Sequence, residues 1–290
     1  MNIAYFPGCS LHAISSEYDS STRIVCGTLG VHLDEVDDWN CCGATAGHSM
    51  DHELTMRLNA RNLAQVARMN RDSVVTPCPG CFNRLKNTAI GLTTLPGERK
   101  KKEASMEGMH GEPPKVMSLL QFLTQEIGLD RIAGPVKMPL NGLKLVAYYG
   151  CLTTRPAKVA EFDDPEQPVS MDRILEVLGA KTASWSHKAE CCGGPFAASD
   201  TDIVLDLSGE VLEAAQSAGA EALVVACPMC QLNLDSRQGA IRNHQGLEAD
   251  LPIIYFTQLI ALAYGFSARR AGLKRLLVDP LPILRRKGLA

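Results

Sequence analysis

The sequence predicts an α/β protein of two pseudo-symmetric domains from an internal duplication, each a small parallel sheet flanked by helices. Three observations lead there. Adjacent cysteines ending in glycine occur twice, as Asn40-Cys41-Cys42-Gly43 and as Glu190-Cys191-Cys192-Gly193-Gly194. An apolar run ending in Gly-Cys precedes each pair: Ile3-Ala4-Tyr5-Phe6-Pro7-Gly8-Cys9 and Leu145-Val146-Ala147-Tyr148-Tyr149-Gly150-Cys151. A CxxC behind paired valines follows each at nearly the same interval: Val74-Val75-Thr76-Pro77-Cys78-Pro79-Gly80-Cys81 and Val224-Val225-Ala226-Cys227-Pro228-Met229-Cys230. Five cysteines per half thus recur in one order, and 290 residues suit two such units.

Residues 2–6 read as a buried strand and 18–29 as a helix, stopped by Gly30 and followed by the extended piece Val31-His32-Leu33. Residues 51–69 carry Leu54, Leu58, Leu63 and Val66 among polar neighbours, the spacing of an amphipathic helix leading into a strand at 73–76. Cys78 to Cys81 bridges that strand and the next helix. Residues 93–114 combine Arg99-Lys100-Lys101-Lys102, scattered glycines and Pro113-Pro114, and read as an exposed linker. An apolar-faced helix at 116–127 closes the first domain, placed at 1–130. The second domain, 143–266, reruns the plan: strand, Gly-Cys, helix at 171–178 ended by Gly179, Cys-Cys-Gly-Gly, helix, strand, CxxC and a closing helix at 253–264. A basic tail, 267–290, holds Arg269, Arg270, Lys274, Arg275, Arg285, Arg286 and Lys287 against the single acid Asp279, and reads either as a docking surface or as a solvated end. Alternating strands and helices imply parallel sheets, whose working residues collect beyond the strands' carboxyl ends. All ten repeated cysteines fall at such ends or in nearby loops.

A formal net charge of −3 gives no pull toward nucleic acid or anionic lipid, and no nucleic-acid motif is present. The amino terminus runs straight into a strand without the regions of a signal peptide, and no apolar run approaches the roughly 20 residues of a membrane span. A cytoplasmic protein without direct membrane insertion is expected. In a reducing compartment, 11 cysteines point to metal binding or redox chemistry rather than disulfides.

Glycine beside a ligand lets backbone approach a bulky cofactor, which suits Gly8, Gly43, Gly80, Gly150 and Gly193. Pro79 and Pro228 suit a first helical turn, whose amides favour a thiolate or sulfide. Tetrahedral zinc needs four ligands, usually two spaced pairs, and fits a quintet poorly. Thioredoxin-like chemistry would use one CxxC and leave three cysteines idle. A cubane iron–sulfur cluster takes four thiolates and leaves one over in each half. A surplus repeated twice suggests an iron–sulfur site, at the strand carboxyl ends, that is not an ordinary cube. Cys26 lies outside the pattern, opposite Leu175, and reads as a small core residue.

At these residues the chain resembles the B subunit of heterodisulfide reductase, a family with two cysteine-rich Cys-Cys-Gly domains. The most specific carriers are Tyr5-Phe6-Pro7-Gly8-Cys9, Trp39-Asn40-Cys41-Cys42-Gly43, Phe162-Asp163-Asp164-Pro165, Ser170-Met171-Asp172-Arg173 and Cys227-Pro228-Met229-Cys230-Gln231. The resemblance implies two noncubane 4Fe-4S clusters, one on Cys9, Cys41, Cys42, Cys78 and Cys81, the other on Cys151, Cys191, Cys192, Cys227 and Cys230. It implies reductive cleavage of a small-molecule disulfide between them, such as the coenzyme M–coenzyme B heterodisulfide. It further implies electrons from two partners of the same complex, a ferredoxin-like iron–sulfur protein (its C subunit) and a flavin-containing protein (its A subunit), since no flavin or nicotinamide fingerprint is present here. Such chemistry needs protons and a grip on substrate. His48 and His187 are the expected catalytic groups, and Arg155, with Gly43 and Gly193, the expected substrate-binding ones. Two other readings stay open: an electron-relay subunit of a quinone-linked, hydroxyacid-oxidising or sulfur-oxidising complex, and a zinc-stabilised scaffold.

Overall fold

A computed structural model describes residues 1–45, 47–94, 111–248 and 250–290. Each half forms a parallel sheet of four short strands. The first comprises β1 (Asn2–Tyr5), β2 (His32–Glu35), β3 (Ser73–Thr76) and β4 (Lys115–Ser118), in the order β2-β1-β3-β4. The second comprises β5 (Lys144–Tyr148), β6 (Lys181–Thr182), β7 (Ala222–Val225) and β8 (Ile253–Tyr255), in the order β6-β5-β7-β8. The two orders are the same permutation, and the registers correspond: Ala4 pairs with Val74 as Ala147 pairs with Val224. The duplication read from the cysteines is therefore a duplication of topology.

The helix His52–Arg68 and its counterpart Thr201–Ser217 each start at an aspartate. Asp51 accepts from the Leu54 amide at 2.9 Å, and Asp200 accepts from the Ile203 amide at 3.2 Å. Such caps satisfy amides that the helix itself cannot.

β4 and β8 depart from the expectation of single closing helices at 116–127 and 253–264. Val116 pairs with Val74 and Ile254 with Val224, so the first few residues of each segment are edge strands. Ser118 ends β4 and accepts from the Gln121 amide at 3.1 Å, starting the helix one step later. Strands of three or four residues, buried from Val116 on in β4 and throughout in β8, carry no alternation to set them apart from a helix. Most of the linker expected at 93–114, including the basic run at 99–102, lies outside the described residues; the helix Pro79–Thr94 runs into its start.

One face of the first sheet, through Tyr5, Val75 and Met117, shares a continuous core with the second sheet, which contributes Val146, Val224 and Ile254. The other face packs Ala4, Phe6 and Val74 against Leu63 and Phe82. The helix Ser16–Thr28 meets Phe256–Ala263 across the seam, where Tyr18 and Tyr255 stack at 4.1 Å, tilted by 8°. Ser21 and Thr257 hydroxyls share a 2.7 Å hydrogen bond beside them. The tail at 267–290 is built into this core rather than solvated. Ala271, Leu273, Leu276, Leu281, Leu284 and Leu289 are buried, while Arg269, Arg270, Lys274, Arg275, Arg285 and Arg286 stay exposed. The Leu277 and Val278 amides dock on the buried Asp235 carboxylate at 2.8 and 3.0 Å.

Candidate metal centre

In each sheet the chain order reverses between the two central strands, β1 and β3 or β5 and β7, so a crevice opens beyond their carboxyl ends. Gly8-Cys9 follows β1 and Cys78 follows β3. Gly150-Cys151 follows β5 and Cys227 follows β7. The Cys-Cys loops come in from the side and are held by matching contacts. Asn59 donates to the Cys42 carbonyl at 2.9 Å, and Ser208 donates to the Cys192 carbonyl at 2.9 Å. Phe6 packs edge-on against Trp39, the residue two before Cys41, while the Tyr148 hydroxyl donates to the Glu190 carbonyl at 2.7 Å.

All ten repeated cysteines line one cleft between the halves, a cavity of about 120 Å³ whose other walls include Ala44, Tyr149, Leu152, Pro195 and Met229. Within it Cys42 and Cys81 sulfurs lie 3.3 Å apart, Cys192 and Cys230 sulfurs 3.4 Å, and Cys9 and Cys41 sulfurs 4.0 Å. None is in a disulfide. Such crowding separates the thiols electrostatically. Contact with Cys42 and then Cys9 holds Cys41 down to about 2, and contact with Cys151 holds Cys191 down to about 6. Cys9 and Cys151 are pushed up, first by those same neighbours and then by burial. Cys78 and Cys192 are lowered too, by contact with Cys81 and Cys230, so each half holds two ready thiolates, the form in which sulfur binds metal.

The donor set fits a multinuclear cluster. Among the described residues no three His, Cys, Asp or Glu side chains converge on a single-ion site; the sulfurs instead surround a void. Gly8 has φ +72°, and a Cβ there would stand 2.7 Å from the Cys81 sulfur. Gly150 has φ +66°, and a Cβ there would stand 3.0 Å from the Cys230 sulfur. These glycines leave the sulfurs room to face inward.

The expected histidines and arginine do not join the cysteines. Arg155 does not line the cleft; it donates to the Pro165 carbonyl at 3.0 Å and pairs with Glu166 at 2.5 Å. His187 stacks on Trp185 and bonds the Ser186 hydroxyl at 2.7 Å, outside the cleft lining. His48 sits in the turn of helix Gly47–Met50, its Nδ1 buried without a partner, and does not line the cleft either. Closeness in sequence to a cysteine gave no side-chain direction. Gly43 and Gly193, both at positive φ, lie behind the sulfurs, their amides donating to Cys41 and Cys191 at 3.5 and 3.4 Å.

Three features escaped the sequence reading. Tyr149 forms part of the cleft wall, and its hydroxyl donates to Asp172 at 2.7 Å. Asp172 in turn pairs with the buried Lys188 at 2.9 Å, and Lys188's carbonyl accepts from the Tyr149 amide at 2.8 Å. This closed network fixes the Gly150-Cys151 turn; Pro7 holds the corresponding place in the first half. Tyr18, wholly buried, donates to the Ala226 carbonyl at 3.0 Å and lies 3.5 Å from the Pro77 carbonyl, the residues before Cys227 and Cys78. Arg84, one turn past Cys81, has a buried Nε with no partner, and burial pulls its pKa down while the Cys42 sulfur acts the other way.

Fold and site together define a duplicated α/β protein with two five-cysteine centres facing one cleft. The chain belongs to the CCG cysteine-rich domain family, whose model matches residues 3–86 and 145–235. Among curated proteins it is 30% identical to the 8-methylmenaquinol:fumarate reductase membrane anchor subunit of Wolinella succinogenes, covering 95% of this chain and 96% of that one. It is 28% identical to the B subunit of the ferredoxin/F(420)H(2)-dependent CoB-CoM heterodisulfide reductase of Methanosarcina acetivorans, covering 97% and 95%. Relatives are thus subunits of oxidoreductase complexes. Among solved structures, a hypothetical protein from Helicobacter pylori shares the fold with a TM-score of 0.76 at 11% identity; the match covers 96% of this chain and 52% of that one. Among the described residues no helix is long and apolar enough to cross a membrane.

Proposed function

We propose that the chain is the catalytic subunit of a heterodisulfide reductase-type complex, with one noncubane 4Fe-4S cluster on each quintet, working in the cytoplasm. The observation that carries this reading is that both quintets open into one cleft. Each half offers five thiols, one more than a cube's corners take. When bound, such clusters supply single electrons and Lewis-acidic iron. The overall reaction breaks one S–S bond with two electrons and two protons and forms two thiols. The electrons come from partner proteins of the complex, a ferredoxin-like iron–sulfur protein and a flavin-containing protein beyond it. This chain's own groups bind and shield: Ala44, Leu152, Pro195 and Met229 give the disulfide's carbons an apolar wall and exclude water, while the Tyr149–Asp172–Lys188 network holds the Cys151 turn in place.

One observation favours a second reading, an electron-relay subunit of a quinone-linked complex: a relative at 30% identity belongs to a menaquinol:fumarate reductase. Anaerobically purified protein separates the two. Catalysis predicts about eight irons with matching sulfide per chain, and disulfide reduction driven by a one-electron viologen donor. An ordinary cubane signal, about four irons and no disulfide turnover would move the relay reading to first place. Zinc alone would sink both.

A further inference from the structure

A second cavity, of about 550 Å³, lies at the seam beside the cleft. The helix Pro79–Thr94 forms one side, and Leu152 and Pro156 of the second half close the other. Leu152 lines both spaces, so they are neighbours across one side chain. Lys86 holds the seam shut beyond, donating to the Ala160 carbonyl at 3.1 Å and pairing with Glu161 at 3.0 Å. Within the cavity Arg84 stands without any ion pair among the described residues, its Nε buried and unbonded. Among the described residues no carboxylate lines the cavity; the other polar groups are His52, Asn83, Asn87 and two threonines. Asn87 donates to the Asn83 side-chain oxygen at 3.1 Å, which leaves the Asn83 amide nitrogen to donate. A guanidinium part-buried without a counter-charge is costly unless something anionic supplies one.

The duplication sharpens the point. Arg84 follows Cys81 by the same step as Asn233 follows Cys230, and Asn233 is spent internally, donating to the Cys192 carbonyl at 3.2 Å. Among the described residues, only the first half places an unpaired cation at this turn. We infer that the cavity is a docking subsite for an oxyanion-ended arm of the disulfide, with Arg84 as the charge that receives it. The two ends of the cleft are therefore unequal, and an unsymmetric substrate lies with its anionic arm over the first half. Carboxylate, phosphate and sulfonate share the required chemistry: two or more oxygens that a guanidinium can hold by paired hydrogen bonds.

This rests on the disulfide-reduction reading, and the test keeps the two apart. The binding arm uses inorganic sulfate and inorganic phosphate as probes at constant ionic strength, reading the shift in melting temperature of the anaerobic protein. Wild type should be protected at millimolar anion, Arg84→Lys partly, and Arg84→Gln not at all, with iron content equal in all three. Equal protection of wild type and Arg84→Gln, or none of either, overturns the subsite. The kinetic arm compares dithiodipropionate with its uncharged hydroxypropyl counterpart. Arg84→Gln should raise KM for the charged disulfide by about tenfold to a hundredfold, the worth of a charged hydrogen bond, and leave KM for the neutral one and kcat for both near wild type. Equal effects on both disulfides overturn the subsite while leaving the reductase reading intact. Turnover of neither overturns the reductase reading, and the anion protection then decides the subsite alone.

Discussion

Gly8 has no room for a side chain. A Cβ there would press on the Cys81 sulfur, and φ +72° is a conformation that costs an L-residue about 1–2 kcal/mol. Gly8→Ala should therefore fold but lose about half its iron, measured per chain after anaerobic purification; full iron content would show that the glycine is not part of the cradle. Cys26 is the opposite case, buried at 1% exposure in the shared core, with burial raising its thiol from 9.0 to about 12. Cys26→Ser should keep iron and activity and lose about 1–3 kcal/mol, the cost of an unpaired hydroxyl in a core. The sign of its pH dependence follows from a raised folded pKa. The buried thiol stabilises the fold fully below about 9 and loses that contribution as pH rises toward 12. In chemical melts the gap between wild type and Cys26→Ser should narrow over that window, and a constant gap would contradict the assigned burial.

At the scale of elements, the helices behind the Cys-Cys loops are twins down to their caps. Asp51→Ala and Asp200→Ala should each cost about 0.5–2 kcal/mol in denaturant unfolding. Near-zero losses would mean that tertiary contacts alone set where these helices begin. Elements of this length were legible because their apolar spacing repeats over several turns, and the ligand loops were legible because cysteine and glycine are informative one residue at a time. β4 and β8 were not, since Val116-Met117 and Ile253-Ile254 are apolar runs too short for any period to show. The helix Pro79–Thr94 carries a clue of another kind, a break in the repeat: Arg84 stands where Asn233 keeps to an internal role. His48, His187 and Arg155 lie off the cleft lining for the converse reason. Each stands a few residues from a cysteine, but His48 lies within the short helix Gly47–Met50, His187 is turned onto Trp185 and Arg155 is drawn to the Pro165 carbonyl, directions that packing sets and sequence spacing does not.

Across the whole molecule, the function proposed depends on the separation of two centres carried by different halves, and the sequence says nothing of that separation. Two sheets that share one core cannot slide freely, but the last link before each CxxC is a loop, and both loops converge on one buried phenol. The Tyr18 hydroxyl donates to the Ala226 carbonyl at 3.0 Å, with the Pro77 carbonyl at 3.5 Å as its weaker alternative. Its ring is pinned by Tyr255, whose own hydroxyl goes elsewhere, to Ser15 at 3.1 Å. Tyr18→Phe keeps the stack and removes only the tie between loops, whereas Tyr255→Phe removes a hydroxyl that touches neither loop. Each should cost about 0.5–1.5 kcal/mol of stability. Only Tyr18→Phe should also weaken the magnetic coupling between the two reduced centres and slow disulfide turnover severalfold, with iron content unchanged. If both variants lose stability alike while coupling and turnover stay at wild-type values in each, the spacing of the centres is set by the sheets and Tyr18 is packing alone.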